Sequence, residues 1–292
     1  MQVDKKLSGN LIEMIRRVST TLPRDVRERI ESFHKLEDDG SRAKNVLGQI
    51  LKNIDLGTKN SIPICQDTGT PIFLVKFPTF MKQVDIQRGI INAVRVATKR
   101  SYLRPNAVNS LTGKNSGDNT GTGFPYIHFD QWGKDYLEVL LLLKGGGSEN
   151  VSAQYRLPDS ELGAGRDLEG VRKCIIDAVY KAQGQGCAPG IIGVGIGGDR
   201  AGSHMLAKEQ LIRKLNDANE DRILADMEKK LFEELNTLNI GPMGFSGKTT
   251  VLAVKIGHRH RVPACFFVSI AYLCWAARRG SMIIKKGKVK YD

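Results

Sequence analysis

The sequence predicts an α/β fold in which a helical N-terminal layer packs on mixed β-sheets. Apolar residues recur at helical spacing through residues 9–56, and again through 84–99 and 167–183. Short apolar runs of the kind that form buried strands stand apart from these helices. They predict strands near residues 72, 124, 136, 191, 249 and 264. No linker separates these elements, so we expect one domain spanning residues 1–292.

Three helices make up the predicted N-terminal layer. Pro23 separates the first from the second, because proline does not continue a helix interior. Ser41 is expected to cap the third helix, and Gly57 to end it. Met1 leads into the first helix without the apolar core of a signal peptide, and no apolar run approaches the roughly 20 residues that cross a bilayer. We therefore expect a cytoplasmic chain without a membrane-spanning segment.

Two polar stretches interrupt the core pattern. Residues 104–123 are rich in Gly, Asn and Thr and begin with one cation, Arg104. A loop of this length in a compact domain is usually functional or disordered. The predicted strand 136–143 runs into Gly145–Gly147, whose peptide N–H groups suit an anion. A surface charge and a flexible turn are the plain alternatives, and the residues alone do not exclude them.

A further glycine-rich run, 193–198, satisfies the pattern G-x-G-x-x-G. That pattern binds dinucleotides when it joins the first strand and first helix of a βαβ unit, with an acidic residue about 20 positions further on. Here it comes late in the chain, and residues 201–237 are predicted to be helical throughout. We therefore expect no nucleotide-binding doubly wound sheet. We interpret these glycines as allowing close backbone approach around Cys187.

The charge balance favours anionic partners. The 292-residue chain has 44 Lys and Arg against 31 Asp and Glu, which gives a net charge of +13. The densest basic clusters, at 258–261 and 285–290, lack the interleaved aromatic residues on which bases stack. We expect no nucleic-acid partner. A basic module that binds nucleic acid or an acidic protein surface, without chemistry, is the alternative from outside the enzymes.

Five cysteines indicate thiol chemistry or metal binding, because disulfides are rare in the cytoplasm. Cys65, Cys187 and Cys274 lie in loops or at the ends of elements, whereas apolar runs place Cys174 and Cys265 in the core. The C-x-x-C pairs of zinc ribbons and ferredoxins are not present. Three thiolates from distant loops can hold three irons of a [4Fe–4S] cluster and leave the fourth open as a Lewis acid. Buried, inert cysteines are the alternative.

Four segments form a specific combination. They are CQDTGT at 65–70, KGGGSEN at 144–150, GCAPG at 186–190 with GVGIGG at 193–198, and YLCW at 272–275. Together they resemble the α subunit of class I iron–sulfur fumarases, and the related α subunit of L-tartrate dehydratase looks similar. The resemblance extends over about residues 10 to 280. It implies a [4Fe–4S] hydro-lyase that interconverts fumarate and (S)-malate, a step of the tricarboxylic acid cycle.

The resemblance also implies a role for each matching residue. Gln66 and Asp67 match substrate contacts, and Asp67 is a candidate proton carrier near the substrate hydroxyl. Arg104 matches an arginine that binds a substrate carboxylate, a bidentate task suited to guanidinium. A peptide N–H of Gly145–Gly147 matches the backbone that contacts the other end of the substrate; Gly146 and Gly147 are the candidates, and which of the three glycines makes the contact stays open. The ligands of a cluster with one iron not held by protein are matched by Cys65, Cys187 and Cys274.

A second chain is implied as well. Single-chain members carry this region as an N-terminal half, and a smaller C-terminal domain bears the base that acts on the substrate carbon. We therefore expect a separate β subunit, an α2β2 assembly and a small dicarboxylate substrate. Some single-chain members have a histidine where this chain has Val262, so the roles of His258 and His260 stay open. Fumarate is expected ahead of tartrate, because residues 65–73 look more like those of fumarases.

Overall fold

The computed structural model describes the backbone of residues 2–292 and the side chains from Lys6 onward; Met1 lies outside the described residues. The α-helices within this range are α1 (Gln2–Thr20), α2 (Arg24–Leu36), α3 (Arg42–Asn60), α4 (Gln83–Lys99), α5 (Gly146–Asn150), α6 (Leu168–Ala182), α7 (Arg200–Gln210) and α8 (Arg222–Asn236). The strands are β1 (Thr70–Pro78), β2 (Tyr126–Trp132), β3 (Tyr136–Lys144), β4 (Ala153–Arg156), β5 (Gly190–Gly197), β6 (Val251–Arg259), β7 (Phe267–Leu273), β8 (Arg278–Lys285) and β9 (Lys288–Tyr291). The predicted α/β fold is confirmed.

The chain divides into two compact units. The first comprises the residues up to Pro23, residues 52–145 and residues 278–292, and the second comprises residues 24–51 and 146–277. The expectation of a single domain over residues 1–292 stays a prediction. Within the described residues, none of the helices is both long enough and apolar enough to span a bilayer.

The first unit is built on a five-stranded mixed sheet in the order β2-β1-β3-β8-β9. β1 and β2 run parallel, and α4 lies between them in the chain, whereas the other neighbours are antiparallel. Helices α1 and α4 pack together, and α1 also contacts β3 and β8. The core between helices and sheet is apolar, and its fully buried members include Leu11, Ile15, Phe73, Ile90 and Val139.

The second unit contains a four-stranded mixed sheet in the order β4-β7-β5-β6. β5 and β6 are parallel, and β7 is antiparallel to both β5 and β4. Helices α6, α7 and α8 pack on this sheet, with α2 against β6. Its core is also apolar, and the buried members include Val171, Ile192, Val194, Leu231 and Val268. A parallel Rossmann sheet opening at Gly193 is therefore not formed, as predicted.

The helices of the predicted N-terminal layer are shared between the two units. α1 belongs to the first unit and α2 to the second, and α3 is divided between them after Leu51. The prediction that Gly57 ends α3 is wrong, because the helix continues for three more residues. Ser61 takes a left-handed φ of 53°, and the peptide N–H of Ile62 donates to the Gly57 carbonyl at 3.1 Å. This is a Schellman-type ending in which a serine takes the left-handed position usually held by glycine.

The prediction that residues 201–237 are helical throughout is wrong, because α7 ends at Gln210 and α8 begins only at Arg222. The glycines of β5 serve a different purpose from the one predicted. A Cβ at Gly193 or Gly195 would collide with backbone carbonyl oxygens of α7. These glycines therefore let α7 lie directly on the sheet, rather than allowing close approach around Cys187. Three short or polar strands, β4, β8 and β9, were not predicted, and the strand expected near 264 begins at Phe267.

Candidate active site

The ends of three strands meet at one edge of the sheet in the first unit. β1 runs antiparallel to β3, and Thr70 at its start pairs with Lys144 at the end of β3. β8 is also antiparallel to β3, and its first residue, Arg278, pairs with Leu143. The loop before β1 carries Cys65, Gln66 and Asp67. The sheet register therefore brings this loop, the end of β3 and the start of β8 to one place.

Thr68 joins this loop to the start of the long polar loop. Its side chain is fully buried, and Oγ1 accepts hydrogen bonds from the peptide N–H of Arg104 at 3.0 Å and from Asn106 Nδ2 at 3.2 Å. The Arg104 guanidinium donates in turn to the carbonyl of Gln66 at 3.4 Å. The side chains of Gln66 and Arg104 are exposed, whereas Asp67 is half-buried. Three of the predicted substrate residues thus lie together in the first unit.

One buried amide, Asn119, fixes the first residues of the polar loop. Its Oδ1 accepts from the peptide N–H groups of Asn106 and Ala107, at 2.6 and 3.0 Å. Its Nδ2 donates to the carbonyl of Arg104 at 2.5 Å and to Thr98 Oγ1 at 3.1 Å. Two donated and two accepted bonds are the full capacity of an amide side chain. The loop is therefore ordered where it begins, and it is anchored to α4 through Thr98.

The backbone around Asp67 packs tightly against the end of β3. Asp67 Oδ1 accepts from the peptide N–H of Gly69 at 2.9 Å. Gly69 has a φ of 80°, and a Cβ there would lie 2.8 Å from the carbonyl carbon of Lys144. A Cβ at Gly145 would lie 2.9 Å from Asp67 Oδ2. Both glycines are therefore needed for the Asp67 loop to reach this position.

Arg278 is a residue of this edge that the sequence did not reveal. Its side chain is fully buried, and Nη1 donates to the backbone carbonyl of Asp67 at 2.5 Å. Among the described residues, Arg278 Nε and Nη2 find no hydrogen-bond partner although both are buried. In the sequence Arg278 stands beside Arg279 and Gly280, a setting that reads as a surface turn. The one signal in the sequence for a role of Arg278 was the pair of arginines at 278–279.

In the second unit, the segments that carry Cys187 and Cys274 run side by side. The peptide N–H of Trp275 donates to the carbonyl of Cys187 at 3.2 Å. Cys187 is half-buried and has a left-handed φ of 55°, which is uncommon for a residue other than glycine. Cys274 is 8% exposed and directly follows β7. The structure thus brings together two of the three predicted cluster ligands.

The ring of Tyr272 supports both of these segments. A Cβ at Gly186 or Gly190 would collide with this ring, so the loop that carries Cys187 lies directly on it. Burial, followed by the nearby thiols of Cys274 and Cys187, raises the pKa of the Tyr272 hydroxyl above its usual range. Tyr272 therefore supports the two cysteines by packing against their segments. This role of Tyr272 was not predicted from the sequence.

Gly146 and Gly147 are exposed and form the first turn of the five-residue helix α5. The turn predicted after β3 is thus a direct connection from strand to helix. Ser148 is buried, and Glu149 forms an ion pair with Lys208 at 2.6 Å. These contacts hold α5 in place within the second unit. The short helix leaves the two glycines on its surface.

The remaining cysteines and histidines fall outside these groups. Cys174 is fully buried in α6, as predicted, and burial raises the pKa of its thiol to about 12. Cys265 is half-buried in the turn before β7 rather than in the core, so that prediction is wrong. His258 and His260 are exposed and border a cavity of about 560 Å³ in the second unit.

The three predicted cluster ligands are distributed over both units. Cys65 belongs to the first unit, and Cys187 and Cys274 belong to the second. In the part of the chain that the structure describes, no three His, Cys, Asp or Glu side chains form a group placed to hold a single metal ion.

Comparison with protein families decides the affiliation of the chain. A family model described as fumarate hydratase (fumerase) matches residues 9–283. The chain belongs to the fumarate hydratase family. The resemblance predicted from the four segments at 65–70, 144–150, 186–198 and 272–275 is therefore confirmed.

Individual relatives of this family member fall into two groups. A protein of Geobacillus stearothermophilus, provisionally named fumarate hydratase class I, is 52% identical over 278 residues, which are 94% of this chain and 54% of that protein. A protein of Methanocaldococcus jannaschii, provisionally named L(+)-tartrate dehydratase subunit alpha, is 35% identical over 96% of this chain and 98% of its own length. The L(+)-tartrate dehydratase subunit alpha of Escherichia coli K12 is 30% identical, over 97% and 92%. The chain thus spans about half of the first relative and nearly all of the two α subunits.

Proposed function

We propose that this chain is the α subunit of an iron–sulfur hydro-lyase that interconverts fumarate and (S)-malate. One observation carries the proposal. Arg104 lies 38 positions beyond Gln66, and it donates to the Gln66 carbonyl and to the Thr68 hydroxyl, on either side of Asp67 in the chain. Membership of the fumarate hydratase family supports the reaction class. The 52% identity to the Geobacillus stearothermophilus protein supports fumarate as the substrate.

Arg104 would bind one carboxylate of the dicarboxylate substrate. Its side chain is exposed, while its peptide N–H and carbonyl are held by Thr68 and Asn119. A guanidinium with a fixed backbone presents a planar pair of donors that matches a carboxylate. The exposed amide of Gln66 would add a further donor, and a peptide N–H of Gly146 or Gly147 would contact the other end of the substrate.

Asp67 would carry the proton at the oxygen side of the reaction. As the oxygen of water bonds to one alkene carbon of fumarate, one of its protons must leave, and a carboxylate within hydrogen-bond reach can take it. The neighbouring carbon gains a proton at the same time. We assign that second transfer to a residue of the β subunit.

Cys65, Cys187 and Cys274 would hold a [4Fe–4S] cluster that leaves one iron without a protein ligand. Three thiols are the donor set for such a cluster, and the pairing of Trp275 with the Cys187 carbonyl fits two of them. When bound, the cluster would supply a Lewis acid for the hydroxyl and carboxylate oxygens of the substrate. The names of the two α-subunit relatives support a β partner. We propose an α2β2 assembly in the cytoplasm.

L-tartrate dehydration is the second candidate. Two relatives, 35% and 30% identical to this chain, are named as L(+)-tartrate dehydratase α subunits. Tartrate and malate differ by one hydroxyl, which a local change in the pocket can accommodate. The higher identity to the fumarate hydratase relative favours fumarate.

The deciding experiment combines the anaerobically reconstituted chain with its β subunit and assays both acids. We expect turnover of fumarate with a kcat/KM at least about tenfold above that for tartrate. Arg104→Lys should raise KM strongly, because lysine cannot replace a bidentate contact. Arg100→Gln is the matched control, since Arg100 is an exposed arginine four positions earlier. Turnover of neither acid, together with salt-dependent binding of nucleic acid, would instead favour the basic binding module.

The cluster assignment has its own test. Anaerobic reconstitution should load about one [4Fe–4S] per chain, measured by iron content and visible absorbance. Serine substitution of Cys65, Cys187 or Cys274 should abolish loading, whereas Cys174→Ser and Cys265→Ser should keep it. Loss of the cluster in Cys265→Ser with retention in Cys274→Ser would contradict the assignment.

The requirement for a partner is tested by titration. The cluster-loaded α chain alone should be nearly inactive, because the proton at the substrate carbon needs a residue of the β subunit. Malate formation should rise with added β subunit and saturate at one β per α. Full turnover by the α chain alone would place that residue among its own 292 residues.

A further inference from the structure

We propose that Arg278 is the positioning residue for Asp67. One of its donors, Nη1, binds the Asp67 backbone, and the edge formed by Nε and Nη2 binds the Asp67 carboxylate. The proposal rests on the proposed function in one respect, the role of Asp67 as a proton carrier in the reaction. Arg278 Nη1 donates to the Asp67 carbonyl at 2.5 Å. That single bond joins the loop before β1 to the first residue of β8.

The charge of Arg278 requires an anion. Its side chain is fully buried, and its planar guanidinium carries a positive charge. A buried charge that is bonded only to a neutral carbonyl is unfavourable, and a carboxylate partner offsets this cost. Its sheet neighbour on β3 is Leu143, which offers no anion.

The two donors that remain form one recognition edge. Among the described residues, Nε and Nη2 of Arg278 are buried without a hydrogen-bond partner, while Nη1 is occupied. Nε and Nη2 lie on the same side of a guanidinium, and this is the edge that a carboxylate binds with both oxygens. The unused donors are thus those of a carboxylate fork.

Gly145 shows where that carboxylate lies. A Cβ at Gly145 would be 2.9 Å from Asp67 Oδ2 and 3.7 Å from Arg278 Nη2. The carboxylate and the unused donor therefore border the same small space, which the absence of a side chain at Gly145 keeps open. A change in the side-chain torsions of Asp67 would bring Oδ2 from this space to the fork. Arg278 would then fix both the backbone and the carboxylate of Asp67.

A double-mutant cycle in urea unfolding tests this pairing without any need for activity. Asp67→Asn should lower the unfolding midpoint of the full chain, because it removes the anion from a buried cation while keeping the bond to Gly69. In an Arg278→Met background, the same substitution should lower the midpoint less. Asp159→Asn is the matched control, since Asp159 also accepts a peptide N–H two residues further on. Its effect should be the same in both backgrounds.

Equal midpoint shifts for Asp67→Asn in both backgrounds would overturn the proposal. If Arg278→Met does not fold, Arg278→Lys serves in its place, because lysine keeps the charge and lacks the fork. The shift caused by Asp67→Asn should then be reduced relative to wild type. An undiminished shift would again contradict the pairing.

Kinetics of the α–β complex separate positioning from substrate binding. Arg278→Ala should lower kcat about 100-fold and change KM less than about threefold, because it acts through a proton carrier. Added guanidinium should restore at least tenfold of this loss, whereas urea, which has the same shape and no charge, should not. A KM increase with unchanged kcat would show that Arg278 binds substrate instead. If the wild-type complex turns over neither acid, the proposed function fails, and the unfolding cycle still decides the role of Arg278.

Discussion

Replacing Asn119 by aspartate should release the start of the polar loop that carries Arg104. Aspartate has nearly the same shape and keeps both accepted bonds, from the peptide N–H groups of Asn106 and Ala107. It cannot donate, so the Arg104 carbonyl and Thr98 Oγ1 each lose a donor. The substitution also places a carboxylate at a position that is only 2% exposed.

The cost can be worked from these contacts. A buried group left without its partner costs about 1–3 kcal/mol, so two such groups cost about 2–6 kcal/mol. The two accepted bonds become charge-assisted and recover part of this. We expect a net loss of about 3 kcal/mol for local opening of the loop, which is about a hundredfold in the opening equilibrium.

Hydrogen exchange at the amides of Asn106 and Ala107 measures this opening directly. Exchange at both should be about a hundredfold faster in Asn119→Asp. Asn115→Asp is the matched control in the same loop, because Asn115 is exposed and donates to the Pro105 carbonyl at 2.8 Å. The control should change exchange less than tenfold. Similar exchange in the two variants would refute the view that Asn119 anchors the loop.

Three further predictions concern packing, thiol reactivity and pH. Gly195→Ala should lower the free energy of unfolding by about 2 kcal/mol, because its Cβ would meet a carbonyl of α7. Gly9→Ala is the control, since the space around Gly9 is open and the substitution should not destabilise α1. An unchanged free energy of unfolding for Gly195→Ala would contradict the close packing. Iodoacetamide at pH 8 should modify half-buried Cys265 in the native chain and leave Cys174 unmodified. The reason is that burial raises the pKa of the Cys174 thiol to about 12. Rapid labelling of Cys174 would show that α6 opens. The hydrogen bond from Arg16 lowers the pKa of Glu13 from 4.5 to about 2. Its stabilisation, about 1 kcal/mol or less for a partly exposed pair, should be complete above pH 4.5 and lost as the pH falls towards 2, and Glu13→Gln should remove this part of the pH dependence of unfolding.

Helices and strands with a strong apolar period could be predicted from the sequence. α4 and α6 were expected at 84–99 and 167–183 and are found within one residue of those limits. β8 could not be predicted, because it opens with two arginines and a glycine and so lacks an apolar run. Its place in the sheet is set by pairing with β3, a tertiary contact that local sequence does not encode.

The candidate site shows the same division. Gln66, Asp67 and Arg104 were marked by motif resemblance, and the structure joins them through Thr68. Asn119 was not marked, because it is one of several asparagines in a polar loop and only its burial distinguishes it. Its φ of 58° is tolerated by asparagine better than by most residues, which was the only local hint.

The glycine run after β3 shows that a sequence motif does not by itself reveal the structural role of each of its residues. The three successive glycines at 145–147 were predicted to act together as one anion-binding stretch of backbone. In the structure they differ, because Gly145 is buried against the Asp67 carboxylate whereas Gly146 and Gly147 are exposed at the start of α5. Gly145→Ala would therefore press on Oδ2 of Asp67 from the side that Arg278 Nη2 also borders. If Arg278 positions Asp67 as proposed, Gly145→Ala should mimic Arg278→Ala in lowering kcat with little change in KM, whereas displacement of a peptide N–H that binds the substrate would raise KM. The kinetic pattern of this one substitution separates clearance for a carboxylate from a backbone contact with substrate.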